Sequence, residues 1–251
     1  YEIGSSGRKE AGMSNLKNAS VMKRALVGVI ASTLLVGLVS FSGDADAQRR
    51  RRRRAQPAEP ATPHSDAIEG ALGPVEWGWS RRQLIEHFTK NLRAEYRPQI
   101  HKARDAMTAD QLRHQLNQKI RGIRESFVEF NGRTTGYDSG FLRDEFTHRN
   151  GESMVRVRSE NADDYYFFIN DRLWKWYRAF DASVFQGADF ERFSQALQGR
   201  FGEGRVREGR IAEGSDEDKQ WIEWQDEHTR LRAVDNHTFY GFYCLSFEDK
   251  E

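Results

Sequence analysis

Residues 163–180 read DDYYFFINDRLWKWYRAF, two aromatic runs of period two on either side of Asn170-Asp171. Few folds accommodate such a stretch. A two-residue turn at that pair predicts a β-hairpin with Ile169 opposite Arg172, Phe167 opposite Trp174 and Tyr165 opposite Trp176 on one face. The other face then pairs Phe168 with Leu173 and Tyr166 with Lys175. Both faces are largely apolar, so the hairpin belongs inside a sheet and needs a covering layer, which helices must supply.

Three stretches have the period for that layer. Ser80 is a good N-cap, and Leu84, Ile85, Phe88 and Leu92 follow at helical spacing, predicting a helix over residues 81–96 that stops before Pro98. Thr108 and Gln111 fit a capping box. Leu112, Leu116, Ile120, Ile123, Phe127 and Phe130 then carry a second and longest helix to Asn131-Gly132. Residues 188–201 form a third, with Phe190, Phe193, Leu197 and Phe201 on one stripe.

Further strands flank the aromatic hairpin. Asn150-Gly151 is a strong turn signal and predicts a hairpin over residues 142–158, with Arg149 opposite Glu152, Thr147 opposite Met154 and Glu145 opposite Arg156. The glycine-rich, charged stretch after Phe201 reads as an irregular or edge strand followed by an exposed loop. Turns at Asp226-Glu227 and Asn236-His237 predict three last strands. They pair Ile222 with Leu231 inside and Trp221 with Arg232 outside, then Leu231 with Phe242 and Ala233 with Tyr240, with Cys244 on the inner face. The result is an α+β body, helices packed on antiparallel β-sheet, in the order helix, helix, four strands, helix, three strands. WGWSRRQLIEHF and FQGADFERFSQAL each place a helix before a hairpin series, which suggests two related halves.

The N-terminal part has a different character. Residues 1–21 lack apolar periodicity and read as a leader or artefact. Lys23 and Arg24 precede the uncharged run ALVGVIASTLLVGLVSF, and Ala45-Asp46-Ala47 has the form a signal peptidase cleaves, so residues 22–47 read as a signal peptide with a mature start at Gln48. An uncleaved membrane anchor is the alternative, because the run is long enough to span a bilayer and Arg49, Arg50, Arg51, Arg52, Arg53 and Arg54 follow it, a block that favours the cytoplasmic side. Residues 48–72, arginine-rich and then Pro- and Ala-rich, read as a disordered tether, leaving 73–251 as a single globular domain. From residue 55 onward 34 Asp and Glu oppose 28 Lys and Arg, a net charge of −6 behind the basic arm.

A Trp-Gly-x-Ser entry to a helix (Trp77 to Ser80) and the hairpin YYFFINDRLWKWY resemble the SmpA/OmlA type of bacterial envelope module and its β-lactamase-inhibitor-like relatives. That resemblance implies a helix-helix-sheet fold that binds other proteins and does not catalyse. The chain lacks that type's lipid-anchor cysteine, and carries an additional hairpin and a long second helix. It also resembles exported bacterial proteins of uncharacterised function.

No catalytic, cofactor-binding or metal-binding set emerges from the motifs. His64, His87, His101, His114, His148, His228 and His237 show no ligand spacing. Cys244, the only cysteine, is expected to act as a small apolar core residue. Asp163-Asp164 and Asp216-Glu217-Asp218 are expected beside loops, as solubilising turn residues with at most weak affinity for calcium. Trp174, Trp176, Trp221 and Trp224 fall at strand spacing and are expected in the core. The arginine block is the one candidate binding feature, suited to anionic lipid or lipopolysaccharide; nucleic acid is not expected as the partner of an exported form. These observations point to a periplasmic or secreted binding or scaffold protein with a protein partner in the envelope and no cofactor. A small-ligand binder or enzyme with an unrecognised pocket, or an anchored protein with a cytoplasmic body, are the alternatives.

Overall fold

The structure is a computed structural model, which describes residues 65–185, 187–210 and 218–251. Residues 1–63, with the hydrophobic run and the arginine block, His64, residue 186 and residues 211–217, where an exposed loop was expected, lie outside the described residues. Among the described residues no helix is long and apolar enough to cross a membrane.

The helices are α1 (Ser65–Leu72), α2 (Arg81–His101), α3 (Ala106–Glu125), α4 (Phe190–Phe201) and the single turn α5 (His237–Tyr240). The strands are β1 (Val128–Glu129), β2 (Glu152–Arg158), β3 (Ala162–Ile169), β4 (Arg172–Phe180), β5 (Arg205–Arg210), β6 (Asp218–Gln225), β7 (Thr229–Asn236) and β8 (Phe242–Asp249). They form one antiparallel sheet in the order β1-β2-β3-β4-β8-β7-β6-β5. The expected α+β class and near order therefore hold. Helices α1 to α3 precede the meander β1-β2-β3-β4 and α4 precedes β5-β6-β7-β8, and the last strands of the two meanders, β4 and β8, pair at the centre.

Helix boundaries follow their caps. Ser80 accepts from the Gln83 N–H while Gln83 Oε1 accepts from the Ser80 N–H, so the expected α2 start holds, but α2 continues through Pro98 to His101. α3 starts earlier than the Thr108 box implies, because Asp105 Oδ1 accepts from the Thr108 N–H at 2.7 Å. It ends at Glu125, one residue shorter than α2, so the second helix is not the longest. Ser65–Leu72, expected within the tether, is helical and fully buries Ile68.

Both faces of the sheet are buried. One packs Tyr166, Phe168, Leu173, Trp176, Trp224, Leu231 and Phe247 under the helices, including Leu84, Ile123, Phe193 and Leu197. Trp176 stacks on Phe247 at 4.7 Å and on Tyr166 at 5.8 Å, giving the central strands an aromatic ladder. The second face carries Phe167, Tyr177, Val234 and Cys244 beneath Phe130, Leu142 and Phe146.

That second cover is where the expected hairpin over residues 142–158 fails. Residues 142–149 form no strand; β2 pairs instead with Val128–Glu129, with Val128 opposite Met154. Phe146 lies over the sheet, its ring stacked on Phe130 at 3.8 Å. Burying two aromatic rings on the face outweighs two exposed charge pairs, each worth a few tenths of a kcal/mol.

Three other registers also differ. Asn170 and Asp171 both have positive φ, as the two-residue turn requires, and Ile169 does face Arg172. A bulge after Phe168 then sets Phe167 against Lys175 and Tyr166 against Trp176. The Asp226 carboxylate accepts from the His228 and Thr229 N–H groups, lengthening that turn so that Ile222 faces Ala233. Between β7 and β8 the helical turn α5 and left-handed Gly241 replace a two-residue turn, and Leu231 faces Phe247. That odd shift moves Phe242 and Cys244 to the second face.

The Trp-Gly-Trp entry brackets the aromatic hairpin. The Gly78 N–H donates to the Leu173 carbonyl and the Leu173 N–H to the Trp79 carbonyl, both at 2.8 Å, and the Arg81 N–H donates to Asp171 Oδ1. Gly78 is needed there, with φ +78 and the Arg172 guanidinium alongside.

Candidate functional site

The two ends of the sheet are built differently. At the β1 end, β2 outruns its two-residue neighbour, and the Ser126 hydroxyl takes the place of a strand, lying 2.9 Å from both the N–H and the carbonyl of Arg156. Ser126 thus fills one place beside β2, and the outermost strand at this end, β1, is only two residues long. At the other end β5, sequence RVREGR, is bonded only to β6 and has no neighbour on its outer side among the described residues.

β5 reaches the edge because Gly204 precedes it. A Cβ at Gly204 would lie 2.6 and 2.8 Å from the buried Trp224 ring, so only glycine lets the backbone pass this close. Trp224 Nε1 donates to the Gly202 carbonyl at 2.8 Å and fixes the approach from the other side. Arg205, Arg207, Glu208 and Arg210 are exposed, and Val206 is 61% exposed, unlike the buried Ile222 it faces. The result is a strand-length row of free backbone donors and acceptors carrying three guanidinium groups. An exposed strand edge of this kind is the geometry to which an extended chain can add, and its guanidinium groups favour acidic side chains.

At the centre of the sheet the second face holds a buried ion cluster. Lys175 Nζ donates to Glu145 Oε2 at 3.1 Å and to the Glu145 carbonyl at 2.8 Å. Arg232 Nη2 donates to Glu145 Oε2 at 3.1 Å and also to Glu248 Oε1. Glu248 further lies 3.5 Å from both Lys175 Nζ and the half-exposed Arg230 Nε. Burial alone would push the Glu248 carboxyl up, but Arg232, Lys175 and Arg230 overcome it and hold that carboxyl below its ordinary value. Burial opposes the charge on Arg232 too, yet Glu145 and Glu248 outweigh it and raise its pKa. The cluster clamps the covering segment, through Glu145, to the centre of the sheet.

The bulge supplies Lys175 to this cluster. Strict alternation from Leu173 puts Lys175 under the helices; the extra residue, Trp174, turns it to the second face, where its Nζ lies 4.6 Å from the Trp174 ring. No sequence signal marked Lys175, Glu145 or Glu248 as partners, and Arg232 was expected outside.

Cys244 sits beside this cluster, fully buried, opposite Ala179 and Val234. Its expected neighbours Leu231 and Ala233 lie on the other face. Asn236 Nδ2 donates to Cys244 Sγ at 3.2 Å and to the Tyr177 hydroxyl at 2.8 Å. Burial pushes the thiol up to about 12, with the Tyr177 and Asn236 hydrogen bonds opposing it, so Cys244 stays a protonated core residue at neutral pH.

The remaining sequence candidates scatter. Asp164 is a strand residue, not a loop residue: 4% exposed, it accepts from Arg178 at 2.7 and 2.8 Å and from Trp176 Nε1 at 2.9 Å. Residues 216 and 217 and the side chain of Asp218 lie outside the described residues. Trp176 and Trp224 are buried, while Trp174 and Trp221 pack partly buried on the second face. His148 is a structural link: its Nδ1 accepts from the Gly132 N–H, so Nε2 donates to Asp138 at 2.7 Å. Among the described residues no group of three or more His, Cys, Asp or Glu is placed to hold a metal ion. Compared with protein-family models, curated proteins and solved structures, the chain matches none.

Proposed function

We propose that this protein is an exported envelope protein that acts by binding, holding a protein partner at its open sheet edge while Arg49 to Arg54 lie near an anionic lipid or lipopolysaccharide surface. The observation that supports the reading is the asymmetry of the sheet ends, a two-residue β1 with Ser126 bonded to β2 beyond it at one end, and at the other the six-residue β5, exposed and without an outer neighbour among the described residues. The partner chemistry follows from Arg205, Arg207 and Arg210: an extended acidic segment adding a strand to β5.

A second copy of the chain suits the edge poorly. Antiparallel two-fold pairing keeps the faces, so the three central registers oppose Arg207 with Arg207, Glu208 with Glu208 or Arg205 with Arg207. Each sets like charges against each other. The resemblance to SmpA/OmlA-like modules supports binding as the activity, and the arginine block supplies charge for a surface whose headgroups are anionic.

The test is a titration of the protein with a labelled Val-Glu-Val-Glu-Val-Glu-Val peptide and its Val-Lys counterpart, read by fluorescence anisotropy. The acidic peptide is expected to bind, with affinity falling as salt rises, and the basic one is not. Neighbouring N–H groups of a strand point to opposite sides, so of Val206→Pro and Arg207→Pro one removes an outward donor and spares the β5–β6 ladder. That variant is expected to lose the peptide while its melting temperature is unchanged. Equal binding of both peptides, or retention by both proline variants, contradicts the reading.

A further inference from the structure

The antiparallel pair α2 and α3 leaves a groove on its outer side, made of two adjoining clefts of about 310 and 260 Å³ that share Arg93 and Arg124. Lys90 and Arg93 on α2 are three residues apart, as are Arg121 and Arg124 on α3, so each pair stacks on one helix face and both pairs line the groove. Among the described residues none of these four cations has a hydrogen bond or an ion pair. The one carboxylate in the lining, Glu86, is taken by Arg82 at 3.2 Å. Like charges at this spacing repel, and they do so on a body whose net charge from residue 55 is −6. The concentration of positive charge is therefore a local feature of this groove.

Two further features distinguish the groove from a solvated helix surface. Thr89 lines it, is 6% exposed, and its Oγ1 is buried with no hydrogen-bond partner among the described residues. A hydroxyl so placed is normally satisfied. Ile85 and Ile120 supply apolar wall beside the charges. Lys90, after burial, also pushes the nearby His87 down, and the Asn91 amide lies 2.8 Å from His87 Nε2, so His87 adds no fifth charge at neutral pH.

We infer that the α2–α3 groove is a binding site for a phosphate group carrying a short apolar substituent, the phosphate held by Arg93 and Arg124 between Lys90 and Arg121, the substituent against Ile85 and Ile120. Planar guanidinium forks match phosphate oxygens in pairs, and the groove is lined by one arginine from α2, Arg93, and two from α3, Arg121 and Arg124. The same chemistry occurs in a free phosphorylated metabolite and in a lipid headgroup. The site is independent of the β5 edge and stands or falls without it.

The test uses the full chain and an Arg93→Gln/Arg124→Gln variant, both with the arginine arm, so that phosphate held by the arm cancels in the comparison. Calorimetric titration with glycerol 3-phosphate and with dihexanoyl phosphatidate below its micelle concentration distinguishes the two sources. Roughly tenfold or greater weakening in the double variant is expected for whichever ligand binds. Tighter binding of the phosphatidate assigns a lipid headgroup, and equal binding of the two a free phosphate ester. Thr89→Val is the second arm: it removes an unpartnered hydroxyl, so the unliganded melting temperature is expected to hold or rise while the stabilisation by ligand falls. Absence of binding by both ligands, or equal binding by wild type and double variant, overturns the assignment.

Discussion

Glu248 shows how the buried charges act. Its carboxylate is shared among Arg232, Lys175 and Arg230 inside a face whose core is otherwise apolar. A pair of acids and a pair of buried bases balance there, and removing one partner leaves a buried charge unmatched. Glu248→Gln is expected to lower unfolding free energy by about 3–5 kcal/mol, measured by urea denaturation at neutral pH. The pH dependence has a definite sign. The folded carboxyl lies below the ordinary value of 4.5, so the unfolded chain binds more protons in that range. The Glu248 contribution is present above pH 4.5 and is lost as pH falls through the folded value, and the variant is expected to have a flatter acid limb. An unchanged acid limb contradicts the assignment. Single residues were the hardest to read from sequence. Period-two reasoning put Lys175 on Tyr166's face, and only the bulge at Trp174, which no composition rule marks, turned it toward Glu145.

Elements were more legible where local chemistry decided them. Ser80 capped α2, Asn170-Asp171 turned the aromatic hairpin, and the glycine-rich stretch became the edge strand β5. Asn150-Gly151 misled because a turn fixes where the chain reverses and not which strand fills the next place in the sheet. Val128–Glu129 took that place, and Phe146 found more burial on the face than beside β2. The Asn236-His237 signal failed similarly, since a helical turn and Gly241 change the register by an odd number and exchange the faces. At this scale Gly204 is the sensitive position. Gly204→Ala drives a methyl into Ile222 and the rigid Trp224 ring, with an expected cost of about 1–3 kcal/mol and faster amide exchange confined to β5. Exchange unchanged along Arg205–Arg210 contradicts the close-approach role.

Among the described residues the sheet joins two meanders, each preceded by helix, through β4 and β8, with both faces covered, the two-residue β1 at one edge and the unpaired side of β5 at the other. Class and order were legible because they depend on periodicity summed over many residues. The candidate site was not, because an open edge is a property of the finished sheet: RVREGR reads the same whether or not another strand lies beside it. The account joins that edge to an N-terminal region that reads as an export signal followed by a basic arm. Both parts meet in one experiment, in which a photoreactive amino acid replaces Arg207 in the full chain in intact cells, with Gln115 on exposed α3 as the control position. The account predicts one discrete crosslinked protein from position 207 in the envelope fraction, mapped to an acidic extended segment of that partner and absent from position 115. A crosslink equally strong from both positions, or one found only in the cytoplasmic fraction, contradicts it.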